Sequence, residues 1–195
     1  TGGNEFSIIS PNTDFDKANE IRLSIKKALT ECNSSIEDKA LEISLSLGYA
    51  VRLTNETSIE ETEKIAEAYM DRRKLLNKKS HRSTILSSIM ATLYARSNET
   101  EEHASRLLKY TEMIGEKMNL SPSKMDELQL FSLLHDIGKI GIDDRILNKP
   151  GELTSDEWEI MKKHPEIGYV ITMSSPEFAP IAEYVLSHHE RWDGT

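Results

Sequence analysis

Two hydrophobic periodicities divide the chain into an N-terminal third and a longer remainder. In the stretch 41–53, apolar residues alternate strictly with polar or small ones, which is the pattern of a strand with one buried face. A second strand is predicted at 7–9, after a glycine turn. Helices are predicted from Asp14 to about residue 29 and from the capping box at Ser58 to about residue 77. The N-terminal third is therefore predicted to be α/β.

From Lys79 onward only helical spacing remains. Apolar residues recur every three or four positions, and helix starts are indicated by Ser121-Pro122 and by a second capping box at Thr154. The predicted fold class is thus α+β, with an N-terminal α/β half-domain over 1–78 followed by an all-α helical bundle over 79–195.

The composition of the chain argues against some classes of function. The chain has 195 residues, of which 37% are hydrophobic and 29% charged, as expected for a folded protein. A net charge of −9 argues against a nucleic-acid binder. No apolar run approaches the length of a membrane span, and the single Cys32 suits a reducing compartment. We therefore expect a cytoplasmic protein, or the cytoplasmic part of a larger, membrane-anchored signalling protein.

The most informative residues are an adjacent imidazole and carboxylate, His135 and Asp136, at the end of an apolar helical stripe. Helical neighbours diverge by about 100°, so other elements must bring further ligands to the pair. Four histidines are spaced to do so: His103, His164, His188 and His189. Imidazoles around a carboxylate that can bridge two ions suit a two-metal site for phosphodiester hydrolysis. Nitrogen and oxygen ligands favour Fe or Mn over Zn or Mg.

Because the chain is acidic overall, an anionic substrate must be bound by basic residues close to the metal site. The basic residues near the histidine cluster in sequence are Lys139, Arg145, Lys149 and Arg191. Lys139 is either one of these substrate-binding groups or an exposed residue at a helix end. Asp193 is either a group beside the metal ligands or the substrate, or part of a simple turn with Gly194. Asp143 and Asp144 are predicted to cap a short helix rather than bind metal.

The stretch HDIGKIGIDDRILNKPGELTSDEWEIMKKHPEIGYVI at 135–171, with HHERWDGT at 188–195, resembles the HD-GYP family of HD-domain phosphohydrolases, which linearise cyclic di-GMP. The Gly-Tyr-Pro run and a later metal-binding Asp of that family would lie beyond Thr195. The resemblance implies a bacterial phosphodiesterase that converts cyclic di-GMP to linear pGpG or GMP. It implies Asp136 and Lys139 as catalytic groups, with Lys139 on a substrate phosphate.

The same resemblance suggests a third metal ion held partly by Glu99, four residues before His103, which gives two or three divalent ions in total. The alternative is that Glu99 is a solvated carboxylate near a helix start.

The first third resembles the C-terminal half of a GGDEF domain, the diguanylate cyclase fold. It has Gly2-Gly3-Asn4-Glu5-Phe6 in place of the family's hairpin motif, an S-x-G strand at 46–48 and a closing helix with AEAYMDRRK at 66–74. Active cyclases carry an acidic metal ligand where this chain has Asn4, and an amide cannot replace that charge. Cyclase activity is therefore not expected, which leaves a regulatory, dimerising, GTP-sensing or scaffold role.

Two other functions stay open from the sequence. One is a phosphohydrolase that acts on another cyclic dinucleotide or nucleotide, and the other is a non-catalytic cyclic-dinucleotide receptor. A homodimer and regulatory domains outside this chain are the further partners to consider.

Overall fold

The computed structural model describes most of the chain. It covers residues 4–38, 41–53, 57–76, 81–97 and 100–194, with the backbone alone for 81–83. Within these ranges the regular structure is helical and no residue belongs to a strand. No helix there is long and apolar enough to cross a membrane.

Nine α-helices follow one another in the described residues. They are α1 (Phe15–Ser34), α2 (Ile59–Leu76), α3 (His81–Arg96), α4 (Glu101–Lys117), α5 (Pro122–Leu134), α6 (Asp144–Leu147), α7 (Ser155–Met161), α8 (His164–Met173) and α9 (Ala182–Ser187). Two short 3₁₀ helices lie at Ile137–Gly141 and Ala179–Ile181. The chain forms two compact units, Thr1–Met70 and Asp71–Thr195. The predicted domain boundary at 78/79 stays a prediction.

The α/β prediction for the N-terminal third is wrong for the residues that the structure describes. The stretches 7–9 and 42–53 are irregular, and Ile8 and Leu53 are 75% and 71% exposed. A strand needs a neighbouring backbone to pair with, and alternation of side chains does not supply one. At Ile43 the pairing comes from a side chain instead: the Asn33 amide accepts from the Ile43 N–H at 2.9 Å and donates to its carbonyl at 2.8 Å.

The predicted helix starts of the first unit are confirmed. The Asp14 side chain accepts from the Lys17 N–H at 2.8 Å, and Ser58 and Glu61 form the capping box of α2. The irregular stretch packs against α2 at Gly48, where a Cβ would lie 2.1 Å from the Ala66 carbonyl oxygen. Only glycine permits such a close backbone approach.

The second unit is all-helical in its described part, as predicted. The side chains of Ser121 and Thr154 cap α5 and α7, and Thr154 forms the expected capping box with Glu157. Apolar residues from four α-helices and both 3₁₀ helices build one core, whose buried members are Leu75, Leu86, Met90, Leu93, Leu130, Leu134, Ile137, Ile181 and Val185. Around this core α8 packs against α9 and against the 3₁₀ helix Ile137–Gly141, while α4 packs against α5.

Candidate metal centre

Four helix ends bring five of the seven predicted ligands together. His135 is the C-cap of α5, and Asp136 precedes the 3₁₀ helix Ile137–Gly141. His164 opens α8, and His188 is the C-cap of α9, followed by His189. Because α8 packs against both the 3₁₀ helix and α9, residues far apart in sequence meet at one point of the fold.

The carboxylate of Asp136 lies at the centre of this group. Its Oδ1 is 3.2 Å from His164 Nε2 and 3.8 Å from His188 Nε2, and its Oδ2 is 3.1 Å from His135 Nε2. His164 Nε2 also lies 3.1 Å from His189 Nε2. Asp136, His164, His188 and His189 each offer one ligand atom, all within 4.8 Å of one another. The Asp136 and His164 side chains are only 9% and 6% exposed, whereas His189 is exposed, so the group is buried on one side and open to solvent at His189.

The backbone fixes the orientation of three of the imidazoles. Nδ1 of His135, His164 and His188 lies 3.0, 2.8 and 2.7 Å from the carbonyl oxygen three residues earlier, at Ser132, Met161 and Val185. A carbonyl only accepts, so in each ring Nδ1 carries the proton and donates it. That tautomer leaves the Nε2 lone pair directed at Asp136, as metal binding requires.

A direct main-chain contact between Gly138 and the start of α8 brings His164 close to Asp136. A Cβ on Gly138 would lie 1.8 Å from the His164 carbonyl oxygen and 2.6 Å from the Gly168 nitrogen. The 3₁₀ helix and α8 therefore touch through main chain, and any larger residue at 138 would hold them apart.

The four predicted substrate-binding cations pair with different carboxylates, and only that of Lys139 belongs to the centre. Lys139 Nζ lies 2.8 Å from Asp136 Oδ2 and belongs to the centre. Lys149 Nζ pairs with Glu157 Oε2 at 2.5 Å, which lowers the pKa of that carboxyl. Arg145 and Arg191 pair with Asp143 and Asp193, and their side chains are exposed.

Asp143 caps α6 as predicted, since its side chain accepts from the Arg145 N–H. Hydrogen bonds from the Arg145 side chain and backbone lower the pKa of Asp143 to about 2. Asp144 is the first residue of α6 and pairs with Arg96 at 2.7 Å.

Two of the predicted ligands are not placed in the group. Among the described residues, no recorded contact joins His103 to the Asp136 group; its half-buried side chain lies in the first turn of α4. Glu99 lies outside the described residues, so its predicted role stays a prediction.

The donor set fits a divalent transition-metal ion. Imidazole nitrogens with one carboxylate, and no thiolate, are typical ligands of Fe, Mn and Zn. Burial, with additions from the neighbouring His188 and His164, lowers the pKa of His189 and favours the neutral, metal-binding imidazole. The residues that would hold metal are Asp136, His164, His188 and His189, with His135 alongside.

The main-chain acceptors and the Gly138 contact were not predicted from the sequence. A signal for the acceptors was present, because His135 and His188 each follow an apolar helical stretch, where the last carbonyls of a helix lack intrahelical partners. No comparable signal marks Gly138, since the backbone that it contacts lies 26 residues further along the chain.

Comparison with known families agrees with this geometry. Residues 88–195, more than half of the chain, match the family described as the HD domain. The chain belongs to the HD-domain family. Residues 1–80 match the diguanylate cyclase GGDEF domain, so both resemblances seen in the sequence are found by comparison.

Curated relatives match half of the chain or somewhat more. A cyclic di-GMP phosphodiesterase of Thermotoga maritima is 49% identical over 102 residues, covering 51% of this chain and 28% of the relative. A 3'3'-cGAMP-specific phosphodiesterase of Vibrio cholerae is 42% identical over 103 residues, covering 52% of this chain and 20% of the relative. A cyclic di-GMP phosphodiesterase of Vibrio cholerae is 36% identical over 132 residues, covering 60% of this chain and 27% of the relative. The chain thus spans less than a third of the length of each of these relatives.

Proposed function

We propose that the protein is a metal-dependent phosphodiesterase that hydrolyses cyclic di-GMP to linear pGpG or GMP. The observation that carries the proposal is the convergence of Asp136 with His164, His188 and His189, whose ligand atoms all lie within 4.8 Å. Hydrolysis of a phosphodiester needs the negative charge of the phosphate to be offset, and a chain with a net charge of −9 has few ways to do this except bound cations.

The proposed cofactors are two or three divalent ions, with Fe or Mn favoured. Asp136 and four histidines would hold the first two ions: His135, His164, His188 and His189. His103 and Glu99 are proposed as outer ligands, Glu99 for a third ion. Bound ions of this kind polarise a phosphoryl oxygen and make water a better nucleophile.

The chain's own side chains are proposed to balance charge and to bind the substrate. Asp136, with both carboxylate oxygens among imidazole nitrogens, is proposed to balance the charge of two cations. Lys139 is proposed to donate to a substrate phosphate, because an ammonium has three donors and its contact with Asp136 holds it beside the centre. Arg145, Lys149 and Arg191 are proposed to contact the rest of the anionic substrate.

The substrate is the part of the proposal with a specific rival. Two of the relatives named above are cyclic di-GMP phosphodiesterases, and one is specific for 3'3'-cGAMP. These substrates share two 3',5'-phosphodiester bonds and differ in one base, so the metal centre serves either and the choice depends on base contacts. A receptor that binds the dinucleotide without cleaving it is the alternative from another class.

For the N-terminal part we propose a regulatory or scaffold role without cyclase activity. Asn4 lies in an exposed turn and brings no carboxylate for Mg²⁺. The HD activity is assigned to residues 79–195.

One experiment separates the three functions. The purified protein is reconstituted anaerobically with Fe²⁺ or Mn²⁺, its metal content is measured, and cyclic di-GMP and 3'3'-cGAMP are supplied separately with separation of products by anion-exchange chromatography. Metal-dependent release of pGpG or GMP is expected, with cyclic di-GMP the better substrate by kcat/KM. Preferred cleavage of 3'3'-cGAMP would favour the rival substrate, and binding of dinucleotide by metal-loaded protein without cleavage would favour the receptor.

A further inference from the structure

Arg96, at the end of α3, contacts the chain immediately after the catalytic motif. Its Nη1 donates to the Ile140 carbonyl, its Nη2 donates to the Ile142 carbonyl at 3.2 Å, and Nε and Nη2 reach Asp144 Oδ1 at 3.2 and 2.7 Å. All three guanidinium nitrogens are therefore used on the segment 140–144. No role for Arg96 was predicted from the sequence.

The backbone carbonyl of Arg96 also accepts a hydrogen bond. Asn148 Nδ2 donates to the Arg96 carbonyl at 3.0 Å, so the end of α3 is linked to both ends of the segment 140–148. A 3₁₀ helix of five residues makes few internal hydrogen bonds, and its geometry is poorer than that of an α-helix. External donors to its carbonyls consequently have a large influence on its shape.

Lys139 immediately precedes the segment 140–144 that Arg96 holds. The Lys139 N–H donates to the Asp136 carbonyl at 3.0 Å, and the Ile142 N–H donates to the Lys139 carbonyl at 3.1 Å. The carbonyl of that same Ile142 then accepts from Arg96. Ile142 is 2% exposed, so this continuous set of bonds runs from the centre to a buried anchor.

We infer that Arg96 is a positioning residue for Lys139: by binding the Ile140 and Ile142 carbonyls it fixes the backbone from which the Lys139 ammonium reaches Asp136 and the substrate phosphate. The role assigned to Lys139 rests on the proposed function, whereas the backbone effect does not. Arginine suits the task because its planar fork can serve several acceptors in fixed directions, which a lysine ammonium cannot.

The test compares Arg96→Lys with two matched changes. Asp144→Asn removes the charge partner but keeps both carbonyl contacts, and Lys162→Ala removes an exposed ion pair with Glu159 elsewhere in the same unit. Each variant is measured for amide hydrogen exchange in the segment 139–142, metal content, KM and kcat. The double variant Arg96→Lys with Lys139→Ala is included, because residues that act through one another give non-additive effects.

Arg96→Lys is expected to speed exchange at the Lys139 and Ile142 amides and to raise KM about ten-fold, with kcat changed less than about three-fold and metal content unchanged. Asp144→Asn and Lys162→Ala should show little of either effect. The double variant should be no worse than Lys139→Ala alone.

Unchanged amide exchange in Arg96→Lys would overturn the inference, and so would increases in KM whose free-energy equivalents add fully in the double variant. If the wild-type protein cleaves no dinucleotide, the proposed function fails, while the exchange measurement still decides whether Arg96 holds this backbone.

Discussion

Replacing Gly138 with alanine would test how the centre is assembled. A Cβ at this position would lie 1.8 Å from the His164 carbonyl oxygen, and real Cβ contacts essentially never fall below 3.0 Å. The 3₁₀ helix Ile137–Gly141 and α8 must therefore separate by roughly 1 Å. The contact of His164 Nε2 with Asp136 Oδ1, now 3.2 Å, joins these two elements and would open by a similar amount.

A separation of this size matters because metal ligands tolerate deviations of only about 0.2 Å. We expect Gly138→Ala to weaken metal binding at least about 100-fold, and to destabilise the fold by roughly 1–3 kcal/mol as overpacking does. Metal content after dialysis against a graded chelator reports the first effect, and the melting temperature of the metal-free protein reports the second.

Gly141→Ala is the matched control on the same 3₁₀ helix. Its Cβ would meet only side-chain atoms of Ile167, at 2.9 and 3.2 Å, and that side chain can shift. Metal affinity should stay within about three-fold of wild type. Wild-type metal affinity in Gly138→Ala, or an equal loss in Gly141→Ala, would refute the view that a main-chain contact at Gly138 sets the distance between His164 and Asp136.

Three further predictions concern single side chains. Asp136→Asn should lose or displace metal and lower hydrolysis by at least about 10³-fold while circular dichroism stays helical, because the amide removes the charge that offsets two cations; near-normal turnover with metal bound would contradict this. Lys139→Ala should raise KM without changing metal content, since an ammonium is not a metal ligand, and metal analysis that showed a loss would end that assignment. Asn4→Asp should form no cyclic di-GMP from GTP in a chromatographic assay, because one restored carboxylate does not rebuild a nucleotide site; detectable product would disprove this.

The clustering of Asp136 with three histidines could be predicted from the sequence because it depends on residue type and order along the chain. Asp136 and the histidines at 164, 188 and 189 do lie together, and the caps at Asp14, Ser58, Ser121 and Thr154 form as local patterns require. These features depend on neighbours within a few residues or on a motif that is recognisable by itself.

The features that could not be predicted depend on pairing between distant backbones. The stretch 41–53 has the alternation of a strand, yet strand formation requires a partner, and the Asn33 side chain supplies the pairing at Ile43. The carbonyl acceptors of Arg96 are main-chain atoms, so nothing in the side chains of Ile140 and Ile142 reveals them. His103 has the spacing of a ligand and stays a prediction, because spacing alone does not fix which way α4 faces.

The hydrogen bonds from three imidazoles to main-chain carbonyls have a consequence for how the centre can vary. Any amino acid supplies a carbonyl, so Ser132, Met161 and Val185 can change their side chains without altering which ring nitrogen carries the proton. Many metal centres use a carboxylate side chain for this purpose, which ties a second residue type to each ligand. Here main-chain carbonyls set by helix geometry take that part, so the tautomer of His135, His164 and His188 does not depend on which side chains occupy positions 132, 161 and 185.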